Sequence, residues 1–110
     1  MFFTVLAWDK PDCGVLRAGT KARHRKFLDE ADPALRVLQS GPLLSEAGEE
    51  QGSLIVVEAE EKATVDRFVR RDPYAAAGLF RSIEVHAWLW RRGNPYLPPE
   101  APGAAGPGGA

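Results

Sequence analysis

Cysteine is nearly absent: Cys13 is the only one in 110 residues, so no intramolecular disulfide can form, and KPDCG holds no second thiol for a metal site. Nothing near it in sequence would activate it, and it reads as a bystander thiol. Histidine is scarce too. The two histidines fall on different elements and the carboxylates are not clustered, so the spacing of a metal-ligand set is missing and no metal is expected. An excess of one charge is also missing. Fourteen Lys and Arg stand against fifteen Asp and Glu, a formal net charge of -1, which leaves no electrostatic footprint for nucleic acid or an anionic membrane. No apolar run is long enough to cross a bilayer. The opening MFFTVLAW is short and lacks a basic n-region and a small-residue cleavage site, so a cytoplasmic protein is the expectation. No internal repeat is visible.

What is present is one domain's worth of alternating patterns, residues 1–92, followed by GNPYLPPEAPGAAGPGGA. This Pro/Gly-rich end cannot bury enough apolar surface to offset an ordering cost of about 1–2 kcal/mol per residue, so 93–110 reads as a disordered tail, with Tyr96 and Leu97 as candidate anchors. Within the domain, Phe2 to Trp8 is β-rich and stops at the turn formers DKPDCG. From Ala18 to about Ala31, Thr20, His24, Phe27, Leu28 and Ala31 fall on one helical stripe, and Asp32-Pro33 ends the helix. Leu35 to Leu44 and Leu54 to Ala59 read as two antiparallel strands. Glu61 to Arg71 carries Val65, Phe68 and Val69 at helical spacing, and Asp72 extends that stripe. Ile83 to Trp90 alternates an aliphatic set with Glu84, His86, Trp88 and Trp90.

The order βαββαβ predicts an α+β, ferredoxin-like fold: a four-stranded antiparallel sheet with two helices on one face. The other face is left open. Strand one is apolar on both sides and strand four offers tryptophans, a surface too apolar for a monomer, so a homodimer packed through its sheets is expected.

Two polar residues lie on apolar stripes, His24 and Asp72, and this topology sets their helices side by side. A histidine held by a carboxylate can move a proton near neutral pH. The competing reading is structural. Asp-Pro-Tyr-Ala-Ala-Ala-Gly also has the pattern of a short capped turn, with aspartate at the N-cap, proline at the first helical position and glycine after the last. The two roles are compatible, because a carboxylate has acceptor sites for both. Arg17 could hold an anionic or phenolate ligand through paired N–H donors or serve in a salt bridge, Asp9 could cap or pair with Lys10 or Arg17, and Tyr74 could line a pocket or pack. His86 with Glu84 reads as a sheet-surface or interface pair.

Asp9, Arg17, His24, Gly41-Pro42 and above all Asp72-Pro73-Tyr74 with Ala76, Ala77 and Gly78 occur in an order and spacing that resemble the YCII-like family of the dimeric α+β barrel superfamily, over nearly all of residues 1–90. The resemblance implies a ferredoxin-like fold dimerising through its sheet and a site built on His24 and Asp72. It also implies relatives that act without metal or organic cofactor, one branch being a dehydrochlorinase of a chlorinated hydroxyhydroquinone. The tail is not part of the family pattern, and the loop at 45–52 is shorter than in many relatives, which puts ligand contacts from that loop in doubt. Three functions stay open: a small cofactor-independent lyase or isomerase on a cyclic or aromatic metabolite, a non-enzymatic small-ligand-binding or accessory dimer, and a small oxygenase.

Overall fold

A computed structural model describes residues 1–30 and 32–96. The elements run β1 (Phe2–Asp9), α1 (Gly14–Asp29), β2 (Leu35–Leu44), β3 (Glu50–Ala59), α2 (Lys62–Arg71), the single-turn α3 (Pro73–Ala76) and β4 (Phe80–Trp88). All strand pairs are antiparallel, in the order β2-β3-β1-β4. This is the expected α+β, ferredoxin-like arrangement.

Four boundaries differ from the sequence reading, each for a local reason. The first helix starts at Gly14 rather than Ala18, because its opening turns expose Val15 and Leu16 and bury Arg17, the reverse of an ordinary amphipathic pattern. The third strand starts at Glu50 rather than Leu54, since the polar residues before the apolar run still pair with β2 and β1. The last strand runs from Phe80 to Trp88 rather than from Ile83 to Trp90, entering the sheet opposite Asp9 and leaving it opposite Phe2. Trp90, past the strand end, turns back and is buried edge-on to Phe2 at 5.6 Å.

The β1 alternation decides which face carries the core. Phe3, Val5 and Ala7 are buried toward the helices, while Phe2, Thr4, Leu6 and Trp8 are half-buried on the open face. Phe3 and Val5 join Leu35, Ile55, Val57, Ala59, Val65, Phe68 and Val69 in one cluster, with Phe27, Leu28, Val37 and Val85 packed at its rim. Each fully buried large apolar side chain contributes about 1.5–3 kcal/mol. Phe27 stacks on Phe68 at 4.7 Å, which joins α1 to α2 at one end. Earlier along α1 the buried side chains are polar: Arg17, Thr20 and His24.

The open face carries Phe2, Leu6 and Trp8 of β1, Leu54 and Val56 of β3, and Trp88 of β4 in register. Past β4 the chain packs back on the sheet: Trp90 stacks on Trp88 at 4.7 Å, and the hydroxyl of Tyr96, in the tail segment, donates to the Leu38 carbonyl at 2.8 Å. Leu97, the other candidate anchor, and Ala31, the last residue of the expected helical stripe, lie outside the described residues.

Candidate functional site

The site begins with a turn dictated by proline. Proline forces the residue before it out of the α region, so Asp72 takes φ -57 and ψ 130 and ends α2. The same residue starts α3, its Oδ1 accepting from the Tyr74 backbone N–H at 2.9 Å with proline in the first turn, and Gly78 closes the motif in the left-handed region at φ 78. This fixes a carboxylate that is 1% exposed against α1.

His24 meets it there. Its Nδ1 lies 2.9 Å from both Asp72 oxygens. A carboxylate can only accept, so Nδ1 donates, and the neutral ring keeps its proton there with Nε2 as the free acceptor. No described residue hydrogen-bonds Nε2. The imidazole also stacks on the Tyr74 ring, centroids 4.1 Å apart and planes inclined by 20°.

Two turns earlier on α1, Arg17 is 4% exposed. Its Nε and Nη2 donate to the two oxygens of Asp9 at 2.6 and 2.9 Å, and Nη2 also donates to Ser53 Oγ at 2.9 Å. Burial opposes the guanidinium charge, but the hydrogen bonds and attraction of Asp9 outweigh it and raise its pKa above the ordinary arginine value. Arg17 also covers the Tyr74 ring, its Cζ 4.6 Å from the centroid. Arg17 and His24 therefore both contact the tyrosine ring, and Asp9 holds Arg17 from the end of β1.

These groups border a cavity of about 180 Å³ lined by Arg17, His24, Tyr74, Glu50, Ser53 and Pro42, with Lys21 and Arg25 at its edge. Lys21 donates to Glu50 Oε2 at 2.9 Å, and this bond holds the Glu50 carboxyl below the usual carboxylate range. A broader depression of about 430 Å³ lies against β2 and Tyr96. It is more open and lacks a buried acid–base pair, so the smaller cavity is the better candidate site. Among the described residues no group of three or more His, Cys, Asp or Glu could hold a metal ion. No helix among them is long and apolar enough to cross a membrane.

All five sequence candidates, Asp9, Arg17, His24, Asp72 and Tyr74, thus fall in one connected group. Glu50 and Ser53 were missed. Glu50 lies inside the short loop whose ligand contacts were doubted and Ser53 just past it, and only the register of β3, pairing Ser53 with Ala7 and Glu50 with Leu44, could have pointed to them. His86 lies elsewhere, on the open sheet face 3.3 Å from Glu84.

A YCII-related domain model matches residues 1–89. Among solved structures, the chain is similar to a 5-chloro-2-hydroxyhydroquinone dehydrochlorinase from Burkholderia phenoliruptrix AC1100 in complex with 2,5-dihydroxybenzoquinone. That match has a TM-score of 0.73 and 29% identity over 81% of this chain and 94% of that one. A mutant of SnoaB, a cofactor-independent oxygenase from Streptomyces nogalater, matches with a TM-score of 0.50 and 13% identity over 86% of this chain and 95% of that one, a likeness of fold alone. No curated protein sequence matches the chain.

Proposed function

The chain belongs to the YCII-related domain family, and on that premise we propose that it is a small cofactor-independent lyase or isomerase acting on a cyclic or aromatic metabolite. One observation carries the reading: His24 gives Nδ1 to both oxygens of Asp72 at 2.9 Å while its ring borders a cavity. In this mechanism Nε2 takes a proton from the substrate. In an isomerisation it returns that proton to another ring atom; in an elimination it passes it to solvent as the leaving group departs as an anion. Asp72 fixes the tautomer and stabilises the imidazolium. Such proton transfer contributes typically about 10²–10⁴-fold. Arg17 presents Nη1 to the ligand, Asp9 holds Arg17 in place, and Tyr74 forms the wall against which the imidazole is set.

The size of the cavity supports a small substrate. A cavity of about 150 Å³ accommodates benzene, so about 180 Å³ suits a single substituted ring. The dehydrochlorinase of similar structure, solved with a dihydroxybenzoquinone, points to the same ligand class.

The test is turnover. Wild-type protein is assayed for chloride release from 5-chloro-2-hydroxyhydroquinone, and for solvent-deuterium uptake by a panel of cyclic ketones and phenols. His24→Ala and Asp72→Asn are each expected to lower the rate at least a hundredfold. Unchanged turnover in both variants would remove the mechanism. The alternative, a non-enzymatic ligand-binding or accessory dimer, rests on the capping bond that already accounts for Asp72; ligand binding without turnover across the panel would favour it.

We also propose that the chain works as a homodimer joined through the open sheet face. Phe2, Leu6, Trp8, Leu54 and Trp88, none of them fully buried, form an apolar surface on one side of the sheet, and contiguous apolar patches of several hundred Å² mark interfaces. Sedimentation at micromolar concentration is expected to give a dimer, and a monomer there would remove this part.

A further inference from the structure

The phenol of Tyr74 has no use in the His24–Asp72 pair. The residue is 1% exposed, yet no described residue hydrogen-bonds its hydroxyl. The hydroxyl oxygen is not among the wholly buried unpartnered atoms and keeps a sliver of surface, so water or a ligand group can reach it. The ring cannot swing away to find a protein partner, because Arg17 covers it, His24 stacks on it and Phe80 meets it edge-on at 5.9 Å. The fold thus holds an unused donor and acceptor rigidly on the cavity wall.

Glu50 adds a buried, unpartnered atom on the same cavity. Its Oε2 is taken by Lys21, but Oε1 is buried with no hydrogen-bond partner. Arg17 Nη1 stands 3.8 Å from it, too far for a hydrogen bond. The two unused groups also feel each other's charge: burial holds the Tyr74 phenol above its ordinary range, Arg17 opposes this, and Glu50 adds to it. A neutral phenol that donates thus accompanies a carboxylate that only accepts.

We propose that Tyr74 and Glu50 form a subsite for a hydroxyl group on the ligand ring, the Tyr74 hydroxyl donating to that oxygen and Glu50 Oε1 accepting its proton. This rests on the ring-ligand reading above and narrows it to single-ring phenols and enols. An ether or an unsubstituted ring leaves Glu50 Oε1 unpaired and binds weakly, because a desolvated acceptor without its donor discriminates more sharply than a change in apolar size.

Phenol and anisole, which share a ring and differ in the hydroxyl proton, are titrated into the full-length protein with NMR shifts of the His24 and Tyr74 signals as the readout. Wild type is expected to bind phenol at least tenfold more tightly than anisole. Tyr74→Phe, which keeps the stacked ring, is expected to weaken both ligands about 3- to 10-fold, the range of one neutral hydrogen bond. Glu50→Gln, which removes the acceptor's charge, is expected to shrink the phenol-to-anisole ratio toward one. Equal binding of the two ligands by wild type, with shifts at the cavity, overturns the subsite and leaves the ring pocket standing. Binding unchanged by both variants does the same. If neither ligand perturbs the cavity signals at millimolar concentration, the ring-ligand reading fails and the subsite falls with it.

Discussion

Two buried acid–base pairs hang from one face of α1, seven residues apart, and they differ in what each leaves over. Arg17 and Asp9 engage both carboxylate oxygens at 2.6 and 2.9 Å, and Ser53 adds a further acceptor for the guanidinium at 2.9 Å. Arginine does not titrate in proteins, so this pair is a fixed strut between α1, β1 and β3. His24 and Asp72 bury as deeply, but histidine is the side chain that changes charge near neutral pH, and Nε2 is left over. Equal burial therefore hides unequal roles. In the proposed mechanism one pair holds the cavity's shape, and the other keeps a nitrogen free for a proton. The Tyr74 ring, in contact with both Arg17 and His24, links the position of the first to that of the second.

The sharpest way to break this contrast is to remove one partner of the strut. Arg17→Met leaves the Asp9 carboxylate buried without its cation, and loss of one partner of a buried pair typically costs about 3–5 kcal/mol. Urea or thermal unfolding is expected to show a loss of that order. His24→Gln, which keeps a polar group facing Asp72, is expected to cost less stability while removing proton transfer. If the two variants destabilise equally, the division into strut and reactive pair is wrong.

A smaller effect sharpens the second pair from within, since Asp72 caps α3 as well as holding the imidazole. Asparagine caps about as well as aspartate, whereas loss of a cap to alanine costs about 0.5–2 kcal/mol. Asp72→Asn is therefore expected to unfold close to wild type and Asp72→Ala at a lower denaturant concentration. Both should lose the orienting carboxylate. Matching stabilities for the two variants would mean that the cap contributes nothing.

How much of this the sequence disclosed follows from which patterns ordinary amphipathicity governs. The β1 and α2 elements carry regular apolar periods, and Asp72-Pro73 announces its own turn, so the fold and the placement of His24 beside Asp72 were legible. The opening of α1 was not, because Val15 is 90% exposed while Arg17 is buried at 4%, an inverted helix face that hydrophobic periodicity assigns to solvent. Glu50 and Ser53 were hidden for a related reason. They sit in a polar stretch that reads as loop, and only pairing with β1 and β2 brings them onto a strand beside the cavity. The side chains that bound a polar cavity are necessarily those whose polarity breaks the pattern by which the elements are found.

The smallest expected effect lies in pH dependence, where the two pairs meet through Tyr74 and Glu50. Burial raises the Tyr74 pKa, so the folded state keeps that proton above the pH at which the unfolded chain, with a value of about 10, loses it. The stability from Tyr74 is therefore fully present below about pH 10 and is lost as pH climbs through the higher folded value. Glu50 has the opposite sign. Lys21 lowers its pKa, so its contribution is present above about pH 4.3 and is lost as pH falls through the lower folded value. Denaturant unfolding across the pH range is expected to show a shallower alkaline limb in Tyr74→Phe and a shallower acid limb in Glu50→Gln. Some acid dependence persists in the second variant, because Asp32 is also held low by the Ala34 backbone N–H and Arg71. An alkaline limb unchanged by Tyr74→Phe would mean that the phenol is as well solvated as in the unfolded chain, against the burial that raises its pKa.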